Sequence, residues 1–434
     1  MEKQHGNIWL DSLFGTIFIY LFMYVISLIP ALRIFEAFDA VGQALADFEM
    51  TDIAFNKLRE PLPPDTTFVL VNMGNLDRSG IAEQIRIIDK YGPKVIGMDS
   101  FFKGYNDDTL GSLALAGALA SVQADLVMVS KVEQTDSLAA LHEGEELYDY
   151  LYTSDSMYTF NAHQAIANLD TKARFQDDVK ICRAFPPKRT DLSTGIVHVA
   201  FAAKMAELYE PGITDKLMER GKDYEIINFR GDFVNFFGEG DKFATRFYAL
   251  DWDQVLSEDF VPELLKDKIV LFGFLGAYFG APQWEDKFFT PINPKIAGRA
   301  NPDMFGPVIH ANIASMILND DYVDTFSETV DIILGLILCF MNVLLFSYIY
   351  RKYGVWYDGL TKLIQVFEVA LVLLLIIQIF SAHSFKIEIT YGLIALALAG
   401  DLLEVYYGVV KNLFTQAGRR LMFKKTKKRK VQLK

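Results

Sequence analysis

The segment FVLVNMGNLDRSGIAEQIRIIDKYGPKVIGMDSFF, at residues 68–102, indicates the fold of the largest part of this chain. Residues 68–73 form an apolar run rich in side chains that favour β-strands. Residues 81–91 then repeat apolar side chains at helical spacing, and residues 94–98 are apolar again before Asp99. A strand, a helix and a second strand in this order predict a βαβ unit with parallel strands.

Residues 34–327 continue this pattern and are predicted to form one α/β domain. Further strands are expected at residues 126–132, 196–201, 225–229 and 268–272, and further helices at residues 110–121 and 199–208. Residues 133–189 are polar and tyrosine-rich without a clear period, which predicts an insertion or a long surface excursion. Residues 34–46 are amphipathic and predict a stalk.

Four apolar runs flank this domain, at residues 13–33, 328–350, 363–381 and 389–410. Each is long enough to cross about 30 Å of hydrocarbon. A cleaved signal peptide is the alternative for the first run, which is long for such a signal and offers no A-x-A exit. The sequence therefore predicts an α/β extracytoplasmic domain plus an α-helical membrane domain, with one N-terminal and three C-terminal transmembrane helices.

The basic residues indicate how these spans are oriented. Residues 411–434 carry ten Lys and Arg side chains and no acid, which the positive-inside rule places in the cytoplasm. Four spans then put residues 1–12 in the cytoplasm too, and the loop that contains Arg351 and Lys352 lands on the same face. The expected location is a bacterial inner membrane, with the large domain in the periplasm or outside.

Charge and motif content limit the partners and the chemistry. The net charge is −13 although ten basic residues lie in the last segment, so the rest of the chain is strongly acidic and no nucleic acid is expected to bind. The basic segment is expected to attract anionic lipid. The six His are dispersed, and no metal, nucleotide or hydrolase motif is present, so no catalytic residue, metal ligand or cofactor is assigned.

Three segments together resemble a known family. They are residues 68–102, YEIINFRG at 224–231, and the set DKIVLFGFLGAYFG, FTP and DMFGPVIHANIASMIL within 267–318. In this order they are similar to the CHASE (type 2) domain, an extracellular sensory domain. The resemblance implies one helix before the domain and three after it, which agrees with the spans derived above.

The resemblance also implies a role in sensing. Typical members attach a kinase, cyclase or other output domain after the last helix, whereas only about 24 residues follow it here, too few for a domain that folds unaided. The expectation is a non-catalytic sensor or scaffold that relays to, or tethers, a separately encoded membrane or cytoplasmic partner, with homo-oligomerisation also open. The alternative is an accessory subunit of an envelope transport, secretion or motor complex.

Four residues of the domain are candidates for ligand binding. Asp77 follows the first strand and Asp99 the second, so both are expected at the edge of the sheet where ligands bind, and Arg230 is expected to approach the same rim. The alternatives are that Asp77 caps a helix, Asp99 orders a turn and Arg230 pairs with an acid. His310 and Asn312 begin a helix that leads to the second span, where they either sense a ligand or satisfy helix-end hydrogen bonds.

Three acids lie within the predicted spans, where carboxylates are costly. They are Glu368, Asp401 and Glu404, and no Lys or Arg falls inside either of the two runs that contain them. Protonated acids that hydrogen-bond between spans, a proton or cation relay, and a docking site for a partner's basic residue are the three explanations. Gly392, Ala395 and Ala399 form a small-residue stripe that admits a close neighbour, either the third span or another protein.

Overall fold

A computed structural model of the chain describes residues 7–28, 50–59, 62–105, 108–142, 146–171, 181–233, 246–282, 286–293 and 301–411. The chain divides into two compact units. The helical unit comprises Met1–Ala46 and Asp324–Lys434, and the α/β unit comprises Asp47–Val323. The predicted stalk at residues 34–46 and nearly all of the basic segment at 411–434 lie outside the described residues.

The elements are numbered along the chain. The helices are α1 (Ile8–Ser27), α2 (Met50–Ile53), α3 (Arg78–Lys90), α4 (Thr109–Ser121), α5 (Asp136–Leu141), α6 (Ser156–Thr159), α7 (Phe201–Tyr209), α8 (Asp215–Glu219), α9 (Trp252–Leu256), α10 (Gly306–Leu318), α11 (Glu328–Lys352), α12 (Tyr357–His383) and α13 (Thr390–Val405). The strands are β1 (Asp65–Asn72), β2 (Val95–Met98), β3 (Asp125–Glu133), β4 (Tyr150–Thr153), β5 (His163–Ile166), β6 (Ala184–Phe185), β7 (Lys188–Thr190), β8 (Val197–Val199), β9 (Glu225–Ile226), β10 (Phe247–Leu250), β11 (Ile269–Gly273), β12 (Lys287–Phe288), β13 (Met304–Phe305), β14 (Asp324–Thr325) and β15 (Phe385–Lys386).

The α/β unit is built on a seven-stranded sheet. Its order is β10-β1-β11-β2-β3, followed by β4 and β5, which both pair with β3. All strands are parallel except β4. Every residue of β2 and of β11 is buried, as expected for parallel strands covered on both faces. Helices α3 and α4 share one hydrophobic core with the sheet, and α7 and α10 pack on the other face.

The predicted βαβ unit and the α/β class are confirmed, with three corrections to the strands. β11 lies between β1 and β2, so the two strands of the unit are not neighbours. The supposed surface excursion at residues 133–189 contributes β4 and β5 to the sheet, because both find hydrogen-bonding partners on β3. The sequence analysis also missed β10, the edge strand beside β1.

The helical unit contains four helices that are long and apolar enough to cross a membrane. α1 begins at Ile8, earlier than the predicted start at residue 13, and α12 begins at Tyr357 instead of residue 363. Side chains of α1, α11 and α13 form the buried core, among them Ile19, Val343 and Leu403. α12 is the most exposed of the four helices.

Candidate functional site

Asp77 is the N-cap of α3. Its carboxylate accepts a hydrogen bond from the Gly80 N–H at 2.8 Å, and its backbone has the extended conformation of a cap. The capping alternative for Asp77 therefore agrees with the structure, and we no longer treat it as a ligand residue.

Replacing Asp77 with alanine is expected to lower the free energy of unfolding by about 1 kcal/mol, because one N–H at the start of α3 loses its acceptor. A denaturant titration of the detergent-solubilised full chain, followed by tryptophan fluorescence, measures the change. The Asp77→Ser variant keeps a capping oxygen and is expected to retain most of the stability. Equal losses in both variants would contradict the capping role.

Arg230 forms an ion pair. Its Nε and Nη2 donate to the two carboxylate oxygens of Asp321 at 2.7 and 2.8 Å, and its backbone N–H donates to Asn312 at 2.9 Å. Asn312 also donates to the backbone oxygens of Gly231 and Val308. No hydrogen bond or ion pair between described residues joins Arg230 to Asp77 or Asp99. The ion-pair alternative accounts for Arg230.

Part of the predicted ligand-binding edge is filled by the chain itself. Asn72, at the end of β1, donates to the Asp251 carboxylate at 2.7 Å and to the Gly276 carbonyl at 2.9 Å. Its own side-chain oxygen accepts from the N–H groups of Gly74 and Leu275 at 3.0 and 2.9 Å. These bonds hold the loop after β11 over the ends of β1 and β10, so the rest of this edge lies at the ends of β2 and β3.

At the ends of β2 and β3, Asp99 lies against the first residue of α10, the helix that carries His310. A methyl group added to Gly306, the first residue of α10, would lie 3.5 Å from the Asp99 carboxylate oxygen. His310 follows one turn later on the same side of α10, and helical side chains tilt towards the N-terminus. α10 comes this close because β11 ends in Gly273, where a Cβ would meet Pro307 at 2.2 Å.

The environment of His310 and Asp99 alters their protonation. His310 is 4% exposed, and its enclosed Nδ1 has no hydrogen-bond partner among the described residues. Burial lowers the pKa of His310 to about 3, and the Lys131 ammonium acts in the same direction. Although Asp99 keeps some exposed surface, its carboxyl group is enclosed, and desolvation raises the pKa of Asp99 to about 6 against the opposing effect of Lys131, while Asp286 adds to the increase.

Lys131 was missed by the sequence analysis. It lies on β3 at an exposed position after the buried stretch LVMVS, and its ammonium is 5.8 Å from the centre of the Phe101 ring, which packs against Tyr152. A lysine that interrupts the apolar run LVMVSKV was the available signal. We call Asp99, Lys131 and His310, with the first turns of α7 and α10, the edge site. It offers a neutral imidazole, an acid that titrates near pH 6 and an ammonium.

The edge site lacks the features of a metal centre. Within the part of the chain that the structure describes, no group of three or more His, Cys, Asp or Glu side chains is placed to hold a metal ion.

Of the three candidate acids Glu368, Asp401 and Glu404, the first two have partners within the helical unit. Asn342 of α11 donates to the Glu368 carboxylate, and Lys362 pairs with Asp401. The helix α12 begins before the predicted apolar run and therefore includes Lys362, which supplies the partner of Asp401. Glu404 is exposed on α13, and no described residue hydrogen-bonds to it.

Comparison with known proteins identifies the family. The CHASE2 domain family matches residues 43–345, well over half of the chain. No curated protein and no solved structure gives a significant match. The chain therefore belongs to the CHASE2 domain family, which confirms the resemblance derived from its motifs and implies a sensing role.

Proposed function

We propose that this CHASE2-domain protein is a non-catalytic membrane sensor. Its α/β unit binds a ligand outside the membrane, and its four helices relay or tether that event to a separately encoded partner. The observation that carries the proposal is the edge site: His310 is buried without a hydrogen-bond partner for Nδ1 among the described residues, on a helix whose first residue lies against Asp99 at the sheet edge where ligands bind in parallel α/β folds.

The protonation of the edge site favours binding over catalysis. A general base works best when its pKa is near the working pH, and the pKa of His310, lowered to about 3, is far from neutrality. The described hydrogen bonds include none between His310 and a Ser, Thr or Cys side chain. We therefore assign His310 a role in contacting a ligand and no role in nucleophilic chemistry.

Contacts within the helical unit support a multi-pass arrangement with both termini on one face. The Asp11 carboxylate near the start of α1 contacts Arg351 at the end of α11 and Lys411 just after α13. Three helix ends thus meet at one level, as four antiparallel crossings require. Since Arg351 and Lys411 are basic, the positive-inside rule favours a cytoplasmic position for this end and a periplasmic one for the α/β unit.

Purification of the protein from gently solubilised membranes tests the relay. We expect a distinct membrane or cytoplasmic protein to co-purify in a fixed ratio. Recovery of only a homo-oligomer would rule out a stably bound partner. Recovery of transport, secretion or motor subunits would favour the alternative, an accessory subunit that uses its intramembrane carboxylates.

Exposed Glu404 is the feature that favours this alternative, because Glu368 and Asp401 already have partners in the helical unit. If a partner's basic residue docks there, Glu404→Gln is expected to reduce the co-purified partner about tenfold or more, the loss that corresponds to one charge-assisted contact. Glu388→Gln is the matched control, because it changes a carboxylate that follows the C-terminal end of α12. This variant should retain the partner. Equal retention by both variants removes the docking role.

A further inference from the structure

No side chain of the described residues caps the first turn of α10. Its N-cap residue, Phe305, provides no side-chain cap, and Pro307 in the first turn has no N–H. A helix N-terminus carries a partial positive charge and presents N–H groups that bind anionic oxygens. The Lys287 ammonium, 4.7 Å from the centre of the Phe305 ring, adds positive charge nearby.

A second helix begins at the same place. α7 starts at Phe201, and its N-cap residue, Ala200, also provides no side-chain cap. The Phe201 ring meets the His310 ring edge to face, with 5.2 Å between their centres. The first residue of α7 therefore contacts His310 of α10, and the N-terminus of each helix favours negative charge nearby.

His310 is the independent sign that something binds here. A buried imidazole nitrogen without a partner has lost its hydrogen bond to water, and the loss is not replaced within the described residues. Since a helical side chain tilts back towards the first turn of its helix, the group that would satisfy Nδ1 is expected near the N-terminal N–H groups of α10. A ligand bound there would supply that group.

The charged groups around the edge site determine the sign of the ligand. Lys131 of β3 and Lys287 of β12 are positive, whereas Asp99 after β2 and Asp286 before β12 are negative. Of the four, Asp99 lies against the first turn of α10, where a ligand anion would bind. The negative charge of Asp99 opposes the binding of an anion. Protonation of Asp99 removes that charge and would permit the anion to bind.

We infer that the edge site binds a small solute through a carboxylate or phosphate group, held by the first turns of α7 and α10, Lys131 and His310, with one proton taken up on Asp99. This inference rests on the proposed sensing function and specifies the chemical class of its ligand. One proton moves from solvent to the Asp99 carboxylate; a carboxylate ligand keeps its own charge over the same pH range, whereas a phosphate also loses a proton near neutral pH.

Calorimetric titration of the solubilised full chain with acetate and, separately, inorganic phosphate tests the inference. We expect one of them to bind at pH 5.5 and its affinity to fall by up to tenfold per pH unit above about pH 6, where Asp99 loses its proton. Acetate binding indicates a carboxylate solute, and phosphate binding a phosphorylated one. Binding that strengthens as the pH rises, or no binding of either anion, would overturn the inference.

Single-residue variants distinguish the side chains that contact the anion from the one that takes up the proton. Lys131→Met and His310→Phe are each expected to weaken anion binding tenfold or more, and Lys131 is exposed enough for its variant to fold normally. Lys94→Met, at the opposite edge of the sheet, is the matched control and should bind as the original protein does. Asp99→Asn should bind acetate with little pH dependence between about 5.5 and 7.5, and should leave for phosphate only the pH dependence of the second ionisation of the ligand.

Unchanged binding in both Lys131→Met and His310→Phe would assign the anion to another place and overturn the edge site. This outcome is independent of the co-purification experiment, because a partner could be retained whether or not an anion binds. Failure of the ligand class and failure of the proposed relay are thus distinguishable.

Discussion

Replacing Arg220 with methionine is expected to destabilise the α/β unit by about 3 kcal/mol or more, the cost of leaving a buried charge without its partner. The Glu225 carboxylate is fully buried, and Arg220 donates to its two oxygens from Nε and Nη2 at 3.0 and 2.8 Å. The same Nη2 donates to the Val323 carbonyl at 3.0 Å. Lys222, 3.3 Å from Glu225, would remain and limits the loss to the lower end of the range.

A denaturant titration of the full chain measures this effect against a matched control. Arg86→Met removes the cation of a solvent-exposed pair with Glu83 and is expected to cost under about 0.5 kcal/mol. The double variant Arg220→Met, Glu225→Gln removes both buried charges and should recover at least half of the loss. A cost below about 1 kcal/mol for Arg220→Met alone would show that water reaches Glu225.

The strands that the sequence predicted correctly are those whose β-conformation follows from the local sequence pattern. β1, β2 and β11 are apolar on both faces, and α3 has a clear helical period, so the core of the sheet follows from pattern alone. β4 and β10 have the mixed sequences YLYT and FYAL, which carry no such period. They are strands because β3 and β1 offer them hydrogen-bonding partners, and such pairing is a property of the tertiary fold.

The edge site was only half predictable, for a related reason. Asp99 and His310 stand in the motifs that carry the family resemblance, and the ends of parallel strands meet at one edge. The ion pair of Arg230 with Asp321 spans 91 residues, and no local pattern predicts it. The alternatives that the sequence left open, a cap for Asp77 and an ion pair for Arg230, are the ones that the structure supports.

The side chains that contact Glu368 and Asp401 could not be predicted, because hydropathy does not show at which residue each helix begins. A run of apolar residues shows where a span exists, yet α12 begins at Tyr357, inside what hydropathy treats as a loop. Lys362 therefore faces Asp401 from within the helix. Asn342, which contacts Glu368, is a single amide in an apolar run, and its importance depends on which face of α11 it occupies.

The small-residue stripe of α13 packs against α11 and not only against its hairpin partner α12. A Cβ at Gly392 would lie 2.8 Å from the Gly335 Cα of α11, and Ala395 and Ala399 are fully buried. Backbone-to-backbone approach of this kind needs glycine on both helices. The stripe is thus occupied within the unit, which removes it from the surfaces available to another protein.

Replacing Gly392 with leucine is therefore expected to cost the helical unit about 3 kcal/mol or more, since the side chain would enter space held by the backbone of α11. Gly359→Leu on α12 is the matched control, because a Cβ there meets nothing within 4 Å. Unfolding in mixed micelles with rising dodecyl sulfate, followed by tryptophan fluorescence, compares the two. Equal midpoints would mean that α11 and α13 separate without cost.

The same pair of variants also tests how the helices take part in the proposed relay. Gly392→Leu disturbs the α11–α13 crossing in the helical unit and changes no residue of the edge site. If the crossing transmits the signal, the variant should lose its response in the partner, and its anion affinity should also shift, because coupling between two sites is reciprocal, whereas Gly359→Leu should keep both. A full response of the partner in Gly392→Leu would show that the signal does not pass through this crossing.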